Sequence, residues 1–211
     1  PESPAEEAGL KRGDIIIAAD GKAIESDDYT TYVSEPTSAC TFTLGTYDFE
    51  LAQLDSTGTV EMPAPRLVEE HNLLKTVLFS TGNRTAAYIL YNSFGEEEDI
   101  TQWQTLYTQL ASAQPDDIIV DLRYNPGGYV TTAQTVGTVL APADASGQTM
   151  LTMTSNDKLN QTQTYLFDPA LLSSGTSLSY QDLYIITGPN TASASEAVIN
   201  SLRPYMSGHL Y

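Results

Sequence analysis

Six residues near the C-terminal end, Thr191-Ala192-Ser193-Ala194-Ser195-Glu196, constrain this chain most. They follow an apolar run, Leu183-Tyr184-Ile185-Ile186, and the breaker Gly188-Pro189-Asn190. Beyond them Ala194, Ala197, Val198 and Leu202 recur at the spacing of one helix face. A buried strand therefore stops, the chain turns, and a helix begins at or beside a serine. A helix start offers unpaired N–H groups and the positive end of the helix dipole. A hydroxyl placed there has two readings. Ser193 or Thr191 can be an N-cap, the commonest duty of such residues at that position. It can instead be a nucleophile, because an acyl-transfer transition state carries an oxyanion that such N–H groups stabilise.

A second strand-to-turn passage lies upstream. Asp117-Ile118-Ile119-Val120-Asp121-Leu122 is a short apolar strand after Pro115, and it runs into Arg123-Tyr124-Asn125-Pro126-Gly127-Gly128. A helix is predicted from about Tyr129, with Val130, Ala133, Gly137 and Leu140 on one face. Paired glycines after a buried strand let backbone N–H groups face a ligand unobstructed. The sequence has neither the phosphate-loop lysine nor the three-glycine dinucleotide spacing. Alone, this is a tight turn. With the serine turn it becomes a second source of N–H groups for one carbonyl oxygen. That requires the strands at 118–122 and 183–187 to lie parallel in one sheet, with both turns at the same edge.

The remaining chain reads as two units. Residues 1–57 open with Ser3-Pro4-Ala5-Glu6-Glu7-Ala8-Gly9-Leu10, a short helix with Pro near its start and Gly near its end. A turn at Lys11-Arg12-Gly13-Asp14, a strand with three isoleucines, and the turn Asp20-Gly21 follow. A short helix capped by Ser26 is predicted over 26–35, and paired strands over 39–44 and 49–52. Gly58, Pro63 and Pro65 mark 58–70 as a linker. The second unit, 71–211, starts with a hairpin of strands 73–80 and 84–91 around Thr81-Gly82-Asn83. Glu96–Asp99 precede a stripe of Ile100, Trp103, Leu106, Tyr107 and Leu110, so the acidic cluster reads as a helix start suited to the dipole, not a metal site. His71 has no partner spacing and reads as a surface or capping residue. Further strands are predicted over 150–154 and 162–167. Strands alternating with helices imply an α/β core.

Composition excludes several classes. Lys and Arg number 9 against 27 Asp and Glu, a formal charge of −18. Such a surface repels nucleic-acid phosphates and anionic lipid. The single cysteine, Cys40, lies in an apolar, strand-like run and reads as a buried structural thiol. No Cys/His cluster has metal-ligand spacing, and no apolar run reaches the length of a membrane span.

Three motifs now stand in order: SPAEEAGLKRGD, DLRYNPGG and TASASE. The first resembles the second half of a PDZ domain, without the first strand and carboxylate-binding loop that would dock a peptide C-terminus. Together the three resemble the carboxyl-terminal (tail-specific) processing proteases, the S41 serine peptidases. The resemblance implies a crotonase/ClpP-like spiral of ββα units after a partial PDZ-like β-rich unit. It implies Ser193 as nucleophile, with an oxyanion hole from the N–H of Ala194 and that of Gly127 or Gly128. It implies a Ser–Lys dyad, no metal or cofactor, protein or peptide substrates, and a place in the periplasm or cell envelope after export. It leaves the oligomeric state open.

One part departs from that pattern. Serine needs a base, and the family's base is a lysine that follows the serine and is kept neutral by burial. No lysine follows Ser193 here. Arg203 does not deprotonate, and His209 is the one other titratable nitrogen, without support from the family. The expectation is a fragment whose catalytic lysine lies outside it and which is inactive alone. A non-catalytic peptide-binding or scaffold relative is the rival reading. An acyl-CoA enzyme on the related core is weaker, having no use for a PDZ unit or TASASE.

Overall fold

The computed structural model of the protein describes residues 3–11, 13–68 and 71–211. Arg12, within the expected first turn, and Glu69–Glu70, at the end of the expected linker, lie outside the described residues. The chain divides into two compact units, residues 1–70 and 71–211.

In the first unit, Ser3 caps helix α1 (Pro4–Glu7), its hydroxyl accepting from the Glu6 N–H, with Pro4 in the first turn. Strands β1 (Ile15–Ala19), β2 (Lys22–Ala23), β3 (Cys40–Asp48) and β4 (Gln53–Met62) form one antiparallel sheet in the order β2-β1-β3-β4. Three sequence expectations change here. The hairpin turns at 49–52, where Asp48 Oδ1 accepts from the N–H groups of Glu50 and Leu51, so the predicted strand at 49–52 is a turn. Residues 58–62, expected to be linker, are the second half of β4, because Gly58 sits at a register shift in the ladder instead of ending it. The short helix expected over 26–35 forms over 28–34, but Thr30–Ser34 are wound as one wide π-type turn and Ser26 does not cap it. Among the described apolar residues of this unit, only Ala19 and Phe42 are fully buried. A cavity of about 350 Å³ lies among Leu10, Ile16, Val33, Phe42 and Met62.

The second unit is built on a sheet ordered β10-β7-β6-β5. Its strands are β5 (Leu73–Thr81), β6 (Arg84–Tyr91), β7 (Asp117–Asp121) and β10 (Asp182–Ile186). β5 and β6 are the expected hairpin; β6, β7 and β10 run parallel. Parallel neighbours need long crossovers. Helix α2 (Glu97–Ala113) supplies the first. The second carries helix α3 (Val130–Leu140) and a separate hairpin of β8 (Thr149–Thr154) and β9 (Thr162–Leu166). Helix α4 (Ala194–Leu202) follows β10, and α3 packs against both α2 and α4.

The period of two explains the core. Ala87, Ile89 and Tyr91 of β6, Ile118 and Val120 of β7 with Leu122, and Leu183 of β10 are all buried on one face. Against them pack Trp103, Leu106, Tyr107 and Leu110 of α2, Ala133 and Val136 of α3, and Val198 and Leu202 of α4. The helical stripe read from the sequence is thus the buried face of α2. Asp99 is buried as well: it accepts from the Tyr91 hydroxyl and the Gly95 N–H, each at 2.7 Å, and from Asn72 Nδ2. This carboxylate anchors the loop between β6 and α2.

Candidate active site

The register decides which loops meet. Asp121 of β7 pairs with Ile186 of β10 on one side and with Leu90 of β6 on the other. Three parallel strands therefore end at one edge of the sheet. The loop 92–96, the turn 122–129 and the turn 187–193 all leave there. This is the placement that the chemistry of the two turns requires.

At that edge the serine turn and the glycine turn touch. A Cβ added to Gly127 would lie 2.7 Å from the Ser193 Cβ, 2.8 Å from the Ala194 nitrogen and 2.9 Å from the Ala192 oxygen. Gly127 has φ +103°, a conformation L side chains rarely adopt. Gly128 is fixed from behind. The Phe94 N–H donates to the Gly127 oxygen and the Tyr129 N–H to the Phe94 oxygen, both at 2.9 Å, so loop 92–96 makes a short parallel bridge to the turn.

Ser193 occupies the N-cap position of α4 with φ 54° and ψ −114°. A non-glycine residue held there stores strain of order 1–3 kcal/mol and persists only where its surroundings over-determine it. The surroundings here are specific. Glu196 Oε2 accepts from the Ser193 N–H at 2.8 Å. Thr191 Oγ1 donates to the Leu122 oxygen at 2.7 Å and accepts from the Gly188 N–H at 2.9 Å, which ties the turn to the end of β7. Thr191 is therefore not the helix cap. The two serines of the motif also part company. Ser195 is buried and its hydroxyl donates to the Asn125 oxygen at 3.2 Å, whereas Ser193 is exposed at the edge.

The N–H groups divide in the same way. Among the described residues, no protein group accepts from the N–H of Ala194 or of Gly128. The Gly127 N–H is already taken, donating to Asn125 Oδ1 at 2.9 Å. Gly127 is buried and Gly128 exposed. Next to the glycine turn, Asp121 accepts from Arg123 and from the Tyr88 hydroxyl. Burial alone would push its carboxyl up; the Arg123 guanidinium and the Tyr88 hydroxyl outweigh that and hold it below its ordinary range.

His209 is far from this edge. Its Nδ1 lies 2.9 Å from Asp182 Oδ1, at the beginning of β10, and Arg84 bridges the same Asp182 to Asp117. A strand of that length separates it from the serine turn by roughly 16 Å. His209 is not the base for Ser193. His71 is exposed, 3.9 Å from Glu98. Among the described residues no group of acidic, His or Cys side chains is arranged to hold a metal. Among them, too, no helix is long and apolar enough to cross a membrane.

The sequence singled out Ser193, Ala194, Gly127 and Gly128; the structure sets Gly127 against Ser193 and Ala194, with Gly128 next to it against Phe94. It assigned no role to Asn125 or Thr191 beyond a possible cap, although both stand inside the quoted motifs. Their roles are hydrogen bonds to other segments, and sequence spacing carries no signal for those.

A strained, exposed serine at a strand-to-helix turn, beside unpaired N–H groups, is geometry of the kind acyl-transfer hydrolases use. The comparisons with known proteins are more specific. Peptidase family S41 matches residues 85–211, and the chain belongs to that family. A PDZ domain matches residues 1–37. A protein from Bacteroides fragilis NCTC 9343 described as an S41 protease is 29% identical over 98% of this chain and 55% of its own, with a TM-score of 0.78. The photosystem II D1 C-terminal processing protease shares the fold, with a TM-score of 0.55 at 19% identity over 100% of this chain and 53% of its own. The chain thus spans about half the length of these structures. No curated protein sequence matches it.

Proposed function

We propose that the protein is a serine endopeptidase of the tail-processing type, exported to the periplasm or cell envelope, where it acts on protein or peptide substrates. The observation that carries the reading is the contact of Gly127 with Ser193 and the Ala194 nitrogen across the sheet edge. Ser193 Oγ attacks the carbonyl carbon of the scissile peptide bond and gives its proton to a base. The carbonyl oxygen becomes an oxyanion held by the N–H groups of Ala194 and Gly128, the two left unpaired. The amine leaves with a proton, and water then releases the acyl group from Ser193. The base is a lysine, as in the family. In this proposal that lysine lies outside residues 1–211, as the resemblance to the family implies.

The test is cleavage of an unstructured protein by the full-length protein and by its Ser193→Ala variant. The variant is expected to lose about 10⁴-fold or more in kcat, and residues 1–211 alone to be similarly slow. Equal rates with and without the Ser193 hydroxyl would sink the proposal.

A further inference from the structure

Asn125 is completely buried, yet its side-chain amide must both donate and accept hydrogen bonds. Burying such a group without partners costs several kcal/mol, so its bonds are the reason it is tolerated. They reach three different segments. Oδ1 accepts from the Gly127 N–H at 2.9 Å. Nδ2 donates to the Tyr91 oxygen, at the end of β6, at 3.1 Å. The backbone oxygen accepts from the Ala192 N–H at 3.3 Å and from Ser195 Oγ at 3.2 Å. The Asn125 N–H closes its own turn on the Leu122 oxygen at 3.0 Å. One residue therefore joins the end of β6, the glycine turn and the serine turn.

From these bonds we infer that Asn125 is the positioning residue of the oxyanion hole: its side-chain amide selects which glycine N–H is presented to substrate. By accepting from Gly127, Oδ1 turns that peptide inward and leaves the next N–H, of Gly128, facing outward. By donating to Tyr91, Nδ2 fixes the amide plane so that the oxygen, not the nitrogen, meets Gly127. The alternative flip would set an NH₂ group against an N–H donor. The backbone oxygen then pins Ala192 and Ser195, on either side of the Ser193–Ala194 peptide. Asn125 touches no substrate and acts through these peptides alone. The inference rests on the peptidase reading above.

An isolated oxyanion donor is worth about 10²- to 10³-fold in kcat, and misorienting Gly128 forfeits about that much. The experiment compares full-length wild type, Asn125→Ala and Asn125→Asp, with Ser193→Ala as the reference. The readouts are kcat, KM and the inhibition constant of a peptide boronate, which forms a tetrahedral adduct on the serine. Asn125→Ala is expected to lower kcat about 10²-fold, to leave KM within a factor of about three, and to weaken the boronate by the same factor as kcat/KM. A merely structural asparagine would lower the amount of folded protein without moving that ratio. If Asn125→Ala does not fold, Asn125→Asp decides. It keeps the size and the acceptor, loses the bond to Tyr91, and brings a negative charge towards the oxyanion, so boronate affinity must fall further. Wild-type kcat and boronate affinity in either folded variant overturn the inference. If Ser193→Ala itself retains activity, the peptidase reading has failed instead.

Discussion

At the scale of single residues, Gly127 is where sequence and geometry meet most tightly. Two costs attach to any side chain there, and they separate experimentally. The first is conformational: φ +103° is strained for any L residue. The second is steric: the atoms a Cβ would meet below 3.0 Å include the Ala194 nitrogen and Ala192 oxygen, backbone that cannot swing aside. Gly147 carries the first cost without the second, with φ +75° and nothing within 4 Å of an added Cβ. Gly147→Ala is therefore expected to cost about 1–2 kcal/mol of stability and leave cleavage by the full-length protein unchanged. Gly127→Ala is expected to cost more and to abolish cleavage, by pushing the start of α4 away from the glycine turn. Thermal melts and kcat for the two variants check this. Retained activity in Gly127→Ala would show that the contact is not needed.

At the scale of elements, β7 carries a charge where an apolar strand has no use for one. Asp121 has no solvent exposure and closes on Arg123 and Tyr88, so it binds β7 to β6 and braces the turn that leads to the glycines. Its carboxyl titrates below the usual 3.8. A depressed acid contributes stability above its unfolded value, and that contribution drains away as pH falls from there through the lowered one. Urea midpoints measured from pH 7 down to about pH 2 should fall steeply below about pH 4 in the wild type. Asp121→Asn is expected to cost about 1.5–3 kcal/mol at pH 7, the worth of hydrogen bonds to a charged group, and to flatten that acid limb. Parallel curves would show that other carboxylates carry it. The same strand shows what the sequence could and could not tell. Residues 117–122 were legible as a short apolar strand because a compact apolar run bounded by breakers needs no partner to be seen. The purpose of Asp121 and Asn125 was not, since each is satisfied by atoms on another strand. The hairpin of β3 and β4 was misplaced for a related reason. Phe49 and Leu51 look like strand residues, but Asp48 captures their backbone into a turn and leaves both side chains exposed.

At the scale of the whole chain, charge is the property that local packing cannot hide. Residues 1–70 hold 15 acidic and 4 basic side chains; residues 71–211 hold 12 and 5. The first unit therefore carries the larger negative charge on half the length, and only two of its described apolar residues are fully buried. Self-repulsion of this kind opposes the compact state, and salt screens it. Raising NaCl from about 10 mM to about 150 mM shortens the Debye length from about 30 Å to about 8 Å, less than the width of either unit. The second unit has an opposing term. Arg84 lies between Asp117 and Asp182, and Arg123 on Asp121, and salt weakens such pairs at their exposed ends. The unfolding transition of residues 1–70 is therefore expected to rise by about 4–8 °C across that range, the shift that about 1 kcal/mol produces in a unit of this size. The transition of residues 71–211 is expected to rise less. Calorimetry of the intact chain at the two salt concentrations, with Asp14→Asn and Asp27→Asn as charge-reduced references in the first unit, measures both. A fall in the first transition with salt would mean that its acidic surface is held by specific ion pairs, of which Arg66 to Glu7 at 2.7 Å is one, and that net repulsion is the smaller effect.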